Sequence, residues 1–145
     1  MRRSRSRAYN EPPIPYLLGA GSIFLGLHCF LNPRQEYLRF GLPLEPAPRL
    51  KNRNTPPDVG IVSPLIYLKG IREITYGLTL IILQYNRQMR ALTAMLGIIS
   101  LAGLLDGIVV WKYGGPKLRR KAYGHWFAFV GLAGWSLRRA ARYLL

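Results

Sequence analysis

The stretch YLKGIREITYG, residues 67 to 77, places Lys69, Arg72 and Glu73 inside an otherwise apolar run. A fourth ionisable group, Asp106, lies inside a second apolar run in the segment GLLDG, and His125 opens a third in GHW. Two cations, two carboxylates and an imidazole in apolar surroundings suit acid–base chemistry. Burial disfavours the charged form of a carboxyl, as a proton donor requires, and cations stabilise negative charge developing on oxygen. Asp106 or Glu73 is the expected donor, Lys69 and Arg72 its charge-setting partners, and His125 a proton relay. Other chemistries find little footing. HExxH, CxxC and EF-hand patterns are absent, and the two histidines, His28 and His125, stand on separate segments, so neither a metal nor a cofactor is expected. GLAG and YGGP do not follow strands and are not phosphate loops. Cys29 is the single cysteine, reads as a small apolar filler, and cannot form an internal disulfide.

The elements that must position these groups are set by the hydropathy pattern. The chain has 145 residues, half of them hydrophobic, with 21 basic residues against 6 acidic. Such basicity suits nucleic acid or an anionic membrane surface. The apolar residues decide for the membrane, because they fall into four blocks of bilayer-spanning length, at 14–31, 61–85, 91–111 and 122–137, with basic residues mostly between them. Nucleic acid is not an expected partner; the lipid bilayer is. The expected fold class is therefore all-α, an integral membrane four-helix bundle in a single domain, 14–145, after a basic tail, 1–13. A proline-rich loop over 32–60 joins the first two spans. Within it, QEYLRF is expected either to lie on the surface as an amphipathic turn or to fold back as a lid. The head MRRSRSRAYNEPP lacks the amphipathic pattern of a transit peptide and resembles arginine-based sorting signals, which suggests a multi-pass protein of the endoplasmic reticulum. Basic residues divide nine to ten between the two sides of the membrane, so orientation is not fixed by charge; the tail favours cytosolic termini.

Small residues mark where these spans approach one another. Gly19, Ser22 and Gly26 form a stripe on the first span, and Ser63, Gly70 and Gly77 one on the second. Gly103 and Gly107 do so on the third, and Gly124, Ala128, Gly131 and Gly134 on the fourth. The short NRQMR link makes spans two and three antiparallel neighbours. At about 1.5 Å rise per residue, Lys69 and Asp106 then reach about the same depth and are expected to pair. Lys69, Arg72, Glu73 and Asp106 together sum to zero. An ionised side chain at mid-membrane costs about 2.5–3.5 kcal/mol on insertion scales, so such a set is a functional candidate. The bland alternative is a structural ion-pair knot, although desolvation makes ion pairs a poor route to stability.

The segments KGIREITYGL, GLLDG and GHW resemble a family of small four-span membrane proteins of unassigned function, found in fungi and bacteria and similar to the DoxX type of four-helix membrane protein. The resemblance implies the bundle and no reaction. Fungal members often accompany natural-product pathways. By that analogy the expected function is acid–base isomerisation, cyclisation or epoxide opening of a lipophilic intermediate, without a cofactor. A non-catalytic scaffold or accessory subunit for a partner membrane enzyme is the alternative, and a homo-oligomer is compatible with either.

Overall fold

The computed structural model describes residues 13–46 and 59–144. Among these, the structure is helical, the one β feature being an isolated antiparallel bridge between Glu45 and Ile61. Four long helices dominate: α1 (Ile14–Leu31), α3 (Leu65–Tyr85), α4 (Met89–Tyr113) and α6 (Ala122–Leu144). Between α1 and α3 lies α2 (Pro33–Phe40), and α4 is joined to α6 by α5 (Gly115–Leu118) and a 3₁₀ turn, Arg119–Lys121. The four expected spans each become one long helix. Proline sets several boundaries: Pro15 stands in the first turn of α1, Pro33 opens α2, and Pro64 precedes α3.

The long helices associate as two antiparallel pairs, α1 with α3 and α4 with α6, and the pairs meet less extensively between α3 and α4. The α1–α3 pair rests on the two expected stripes. Gly19 faces the Gly77 carbonyl and Gly26 faces Gly70, and a Cβ at any of the four would collide with the opposite helix. Close approach of this kind is what small residues permit between helix backbones. In the second pair, Gly97, Gly103 and Gly107 of α4 seat Ser136, Phe129 and Trp126 of α6. The glycines of α6 itself behave otherwise. Gly124, Gly131 and Gly134 have nothing within 4 Å of a built Cβ, so the expected packing stripe of the fourth span faces outward. Spacing shows that such a stripe exists; which side the neighbouring helix occupies is a tertiary property.

Two apolar clusters close the ends of the bundle. One gathers Cys29, Tyr37, Leu44 and Ile66 beneath α2, and the other gathers Leu80, Leu92 and Leu96 with Trp135 and Leu132 near the α3–α4 hairpin. The short helix α2 folds back against the bundle, which selects the lid from the two expected placements of QEYLRF. Its left-handed cap, Gly41 (φ 113°), is doubly constrained: the backbone conformation favours glycine, and a Cβ would strike Val110. The helix formed by the fourth apolar block also runs further than expected. Helix α6 continues through the RRAAR segment to Leu144, and Arg139 is buried there rather than flanking in water. Arg139 donates to Thr93 Oγ1 (3.2 Å) and lies over the Trp135 ring, while Ser136 donates to the Thr93 carbonyl (2.8 Å). Together they tie the far end of α6 to α4.

Helices α1 and α4 are long and apolar enough to cross a membrane. The remaining long helices carry more charge: α3 has Lys69, Arg72 and Glu73, and α6 has Arg138, Arg139 and Arg142.

Candidate functional site

Between the two helix pairs lies a cavity of about 620 Å³. One part of its wall is apolar, built from residues such as Leu18, Leu80, Leu96, Ile99 and Leu132. The other carries Ser22, Glu36, Arg39, Lys69, Glu73, Tyr76, Asp106 and His125. A smaller cleft of about 290 Å³ adjoins it and brings in Arg72 beside Lys69 and Asp106. All five residues expected to carry the chemistry therefore border one of these two spaces, whose walls share Phe40, Lys69 and Asp106, although the five come from α3, α4 and α6.

Their pairing differs from the expectation. Asp106 is held by Arg72, whose two terminal nitrogens donate to its two oxygens at 3.1 and 2.6 Å. Lys69 instead donates to Glu36 Oε1 at 3.1 Å. The depth estimate brought Lys69 and Asp106 to one level, and both do line the smaller cleft. Two things redirect the pairs. The planar fork of arginine matches a carboxylate in a way an ammonium cannot. And α2, counted as loop in the sequence, brings a carboxylate of its own to Lys69.

Glu36 is the residue that sequence reasoning missed. It is 2 % exposed, and its two oxygens take Lys69 Nζ (3.1 Å), Arg39 (2.7 Å) and His28 Nδ1 (3.1 Å). Burial pushes its carboxyl up, but the hydrogen bond from Arg39, the charge and hydrogen bond of Lys69 and the contact with His28 outweigh that and hold it below its ordinary value. The available signal was the Glu36–Arg39 pair, three residues apart on one face of an amphipathic octamer. The same helix is latched elsewhere. His125 Nε2 donates to the Phe40 carbonyl at 2.9 Å, and Lys121 donates to the Leu38 carbonyl at 2.8 Å. In the neutral ring, a proton on Nε2 leaves Nδ1 of His125 as an acceptor.

Glu73 is placed differently from the other two acids. Ser22 Oγ lies 2.8 Å from its Oε2 and 3.0 Å from its own backbone carbonyl, and shares one proton between them. The nearest cations are further off, Arg72 at 3.7 Å and Lys69 at 4.0 Å from Oε1. Both oxygens of Asp106 and both of Glu36 are taken by cations at hydrogen-bond distance. Glu73 is thus the cavity carboxylate with an oxygen still open to a bound molecule. Among the described residues, no group of three or more His, Cys, Asp or Glu side chains is arranged to hold a metal ion.

Fold and site together define an all-helical protein with apolar helices of membrane-crossing length and a charged, internally neutralised cavity wall. The chain belongs to the family described as "Domain of unknown function (DUF4267)", matched over residues 19–138. That span takes in α3 and α4 whole and most of α1 and α6, with Ser22, His28, Glu36, Arg39, Lys69, Arg72, Glu73, Tyr76, Asp106 and His125. No curated protein and no solved structure matches the chain.

Proposed function

We propose that this chain is a four-span membrane protein in which α1, α3, α4 and α6 cross the bilayer, and that it performs acid–base chemistry on a lipophilic substrate bound in the cavity between the helix pairs. The membrane part is supported by the outer surface. Phe127 (83 % exposed), Leu31 (76 %), Leu137 (71 %) and Leu17 (68 %) all face outward, an apolar exposure that water would penalise and lipid would not. In this reading the charges of α3 that lower its hydropathy point inward to the cavity, and the arginine-rich head suits residence in the endoplasmic reticulum.

One observation carries the chemistry: Glu73 borders a mostly apolar cavity without a cation at hydrogen-bond distance, while its neighbours are locked in ion pairs. In an isomerisation Glu73 takes a proton from a carbon next to a carbonyl. The C–H electron pair moves into a new C=C bond, and negative charge develops on the carbonyl oxygen, where Lys69 and Arg72 offer positive potential. Where the substrate carries a C=C bond one carbon beyond, the carbonyl re-forms as the new C=C bond settles beside it. The electrons of the old C=C bond take up the proton at its far carbon, so no oxidant or reductant is consumed. Asp106 keeps Arg72 in place and acts as a positioning residue. The test uses wild-type protein and Glu73→Gln in liposomes, each incubated in D2O with a lipid extract of the producing cells. Deuterium should enter one lipid species with wild type and not with the variant. No exchange with wild type, or equal exchange with both, would overturn the reading.

A scaffold role is favoured by one separate feature, the outward glycines of α6. Gly124, Gly131 and Gly134 fall within an arc of about 80° at 100° per residue, a close-packing face with no helix on it among the described residues. A stoichiometric membrane protein that co-purifies in mild detergent and is lost on Gly131→Leu would support that role.

A further inference from the structure

We propose that the cavity takes an uncharged, oxygen-bearing lipid, a long-chain ketone or alcohol rather than a fatty acid or amine, and that this lipid enters from the bilayer through the gap between α1 and α6. The proposal rests on the cavity described above being a binding site; it does not require that the bound molecule react.

The charge of the ligand follows from the wall. Three carboxylates, Glu36, Glu73 and Asp106, face three cations, Arg39, Lys69 and Arg72, and with neutral histidines the set sums to zero. A neutral head adds no charge to this set. A carboxylate or an ammonium would leave one uncompensated charge in a low-dielectric site, or would have to break an existing pair, and both are costly. The wall nevertheless has polar groups to offer. Among the described residues the Tyr76 hydroxyl has no hydrogen-bond partner, and Nδ1 of His125 is left open by the Nε2 contact with Phe40. A hydroxyl or carbonyl oxygen meets a donor there, and a hydroxyl also meets an acceptor. The apolar wall continues from this polar part for about 10–15 Å along the helices, as the spacings Glu73 to Leu80 and Asp106 to Leu96 give at 1.5 Å per residue. That length suits an aliphatic body.

The route follows from how the helices pair. Helix α1 packs on α3 and α6 packs on α4, but α1 and α6 make little contact with each other. The residues that line the cavity on that side, Leu17, Gly21 and Phe24 of α1 and Ala128 of α6, are also exposed on the outer surface. A built Cβ at Gly21 meets nothing within 4 Å, so the gap is open at that point. At the end bearing the charges, α2 covers the bundle and is latched by His125 and Lys121. The opening between α1 and α6 faces the surface that lipid would cover.

The experiment uses full-length protein in liposomes and a twelve- to fourteen-carbon methyl ketone carrying a diazirine near the chain terminus, photolysed and mapped by peptide mass spectrometry. Label should fall on α1, α3, α4 and α6 residues of the apolar wall. A matched ketone and alcohol should compete, and the matched carboxylate and amine should compete at least about tenfold more weakly. Gly21→Trp, which fills open space in the gap, should lose most of the labelling at unchanged thermal stability. Label elsewhere or none at all, or equal competition by the carboxylate, would overturn the ligand class. Undiminished labelling of a folded Gly21→Trp would overturn the route; if that variant unfolds, Ala128→Trp replaces it as the test. Labelling as expected without deuterium exchange would refute the catalytic reading and leave this proposal standing.

Discussion

At the scale of single residues, the site is a set of ion pairs whose partners depend on which element brings the second charge. Asp106 accepts two hydrogen bonds from Arg72, and Lys69 is drawn to Glu36. A double-mutant cycle on Arg72→Met and Asp106→Leu, read as thermal stability in detergent, should therefore show coupling on the order of 1–3 kcal/mol, and the Lys69–Asp106 cycle clearly less. A larger coupling for Lys69 would reverse the assignment. Glu36 gives a pH prediction. Its folded value is held below the ordinary 4.5, so its contribution is complete above that value and lost as the pH falls through it toward the lower folded value. Melting temperature should drop as wild type is taken from pH 6 to below 4.5, and the part of that drop due to Glu36 should vanish in Glu36→Gln. The five expected chemical residues could be found in the sequence because charges stand out in apolar runs. Glu36 was not singled out, because the pattern of QEYLRF fits a surface turn as well as a lid and only the lid carries its acid into the site.

Elements explain why some stripes of small residues matter and others do not. Gly77 of α3 sits against the Gly19 carbonyl, and Gly131 of α6 sits against open space. Gly77→Val should destabilise the protein by about 1–3 kcal/mol through overpacking, whereas Gly131→Val should fall within about 0.5 kcal/mol of wild type in isolated protein. Melting curves in detergent separate the two, and equal losses would mean that the α6 face is packed after all. Both stripes looked alike in the sequence. The positions of α1, α3 and α4 were readable because apolar length sets them, but α3 starts at Leu65 rather than at 61, since Ile61 pairs with Glu45 in the bridge and Pro64 caps the helix. The reach of α6 was not readable, since the buried Arg139 looks in the sequence like an ordinary basic flank.

For the whole molecule, the pairing of α1 with α3 and of α4 with α6 makes each long helix antiparallel to the next. If all four cross the bilayer, residues 42–46 and 114–121 share one side and the hairpin at Asn86–Gln88 lies on the other. With Cys29 replaced by serine, single cysteines at Lys117 and Arg87 should react with a membrane-impermeant maleimide from opposite sides of sealed vesicles. Labelling of both from one side would refute the four-span arrangement. Which segments share a side follows from the number of spans and was legible in the sequence; which side is cytosolic was not, because the basic residues are divided almost evenly between the two.

The bridge between Glu45 and Ile61 has a practical consequence. Its two backbone hydrogen bonds, at 2.8 and 2.9 Å, pin both ends of the segment 46–60 to each other before the chain enters α3. Whatever length of chain is spliced between those ends, Glu36 and Lys69 meet through contacts on either side of the pin. Closure entropy rises only about 0.6 kcal/mol per doubling of loop length. A ten-residue affinity epitope inserted between residues 51 and 54 should therefore leave folding and ligand labelling intact. It would provide a purification and imaging handle on a chain whose termini are then free of added sequence.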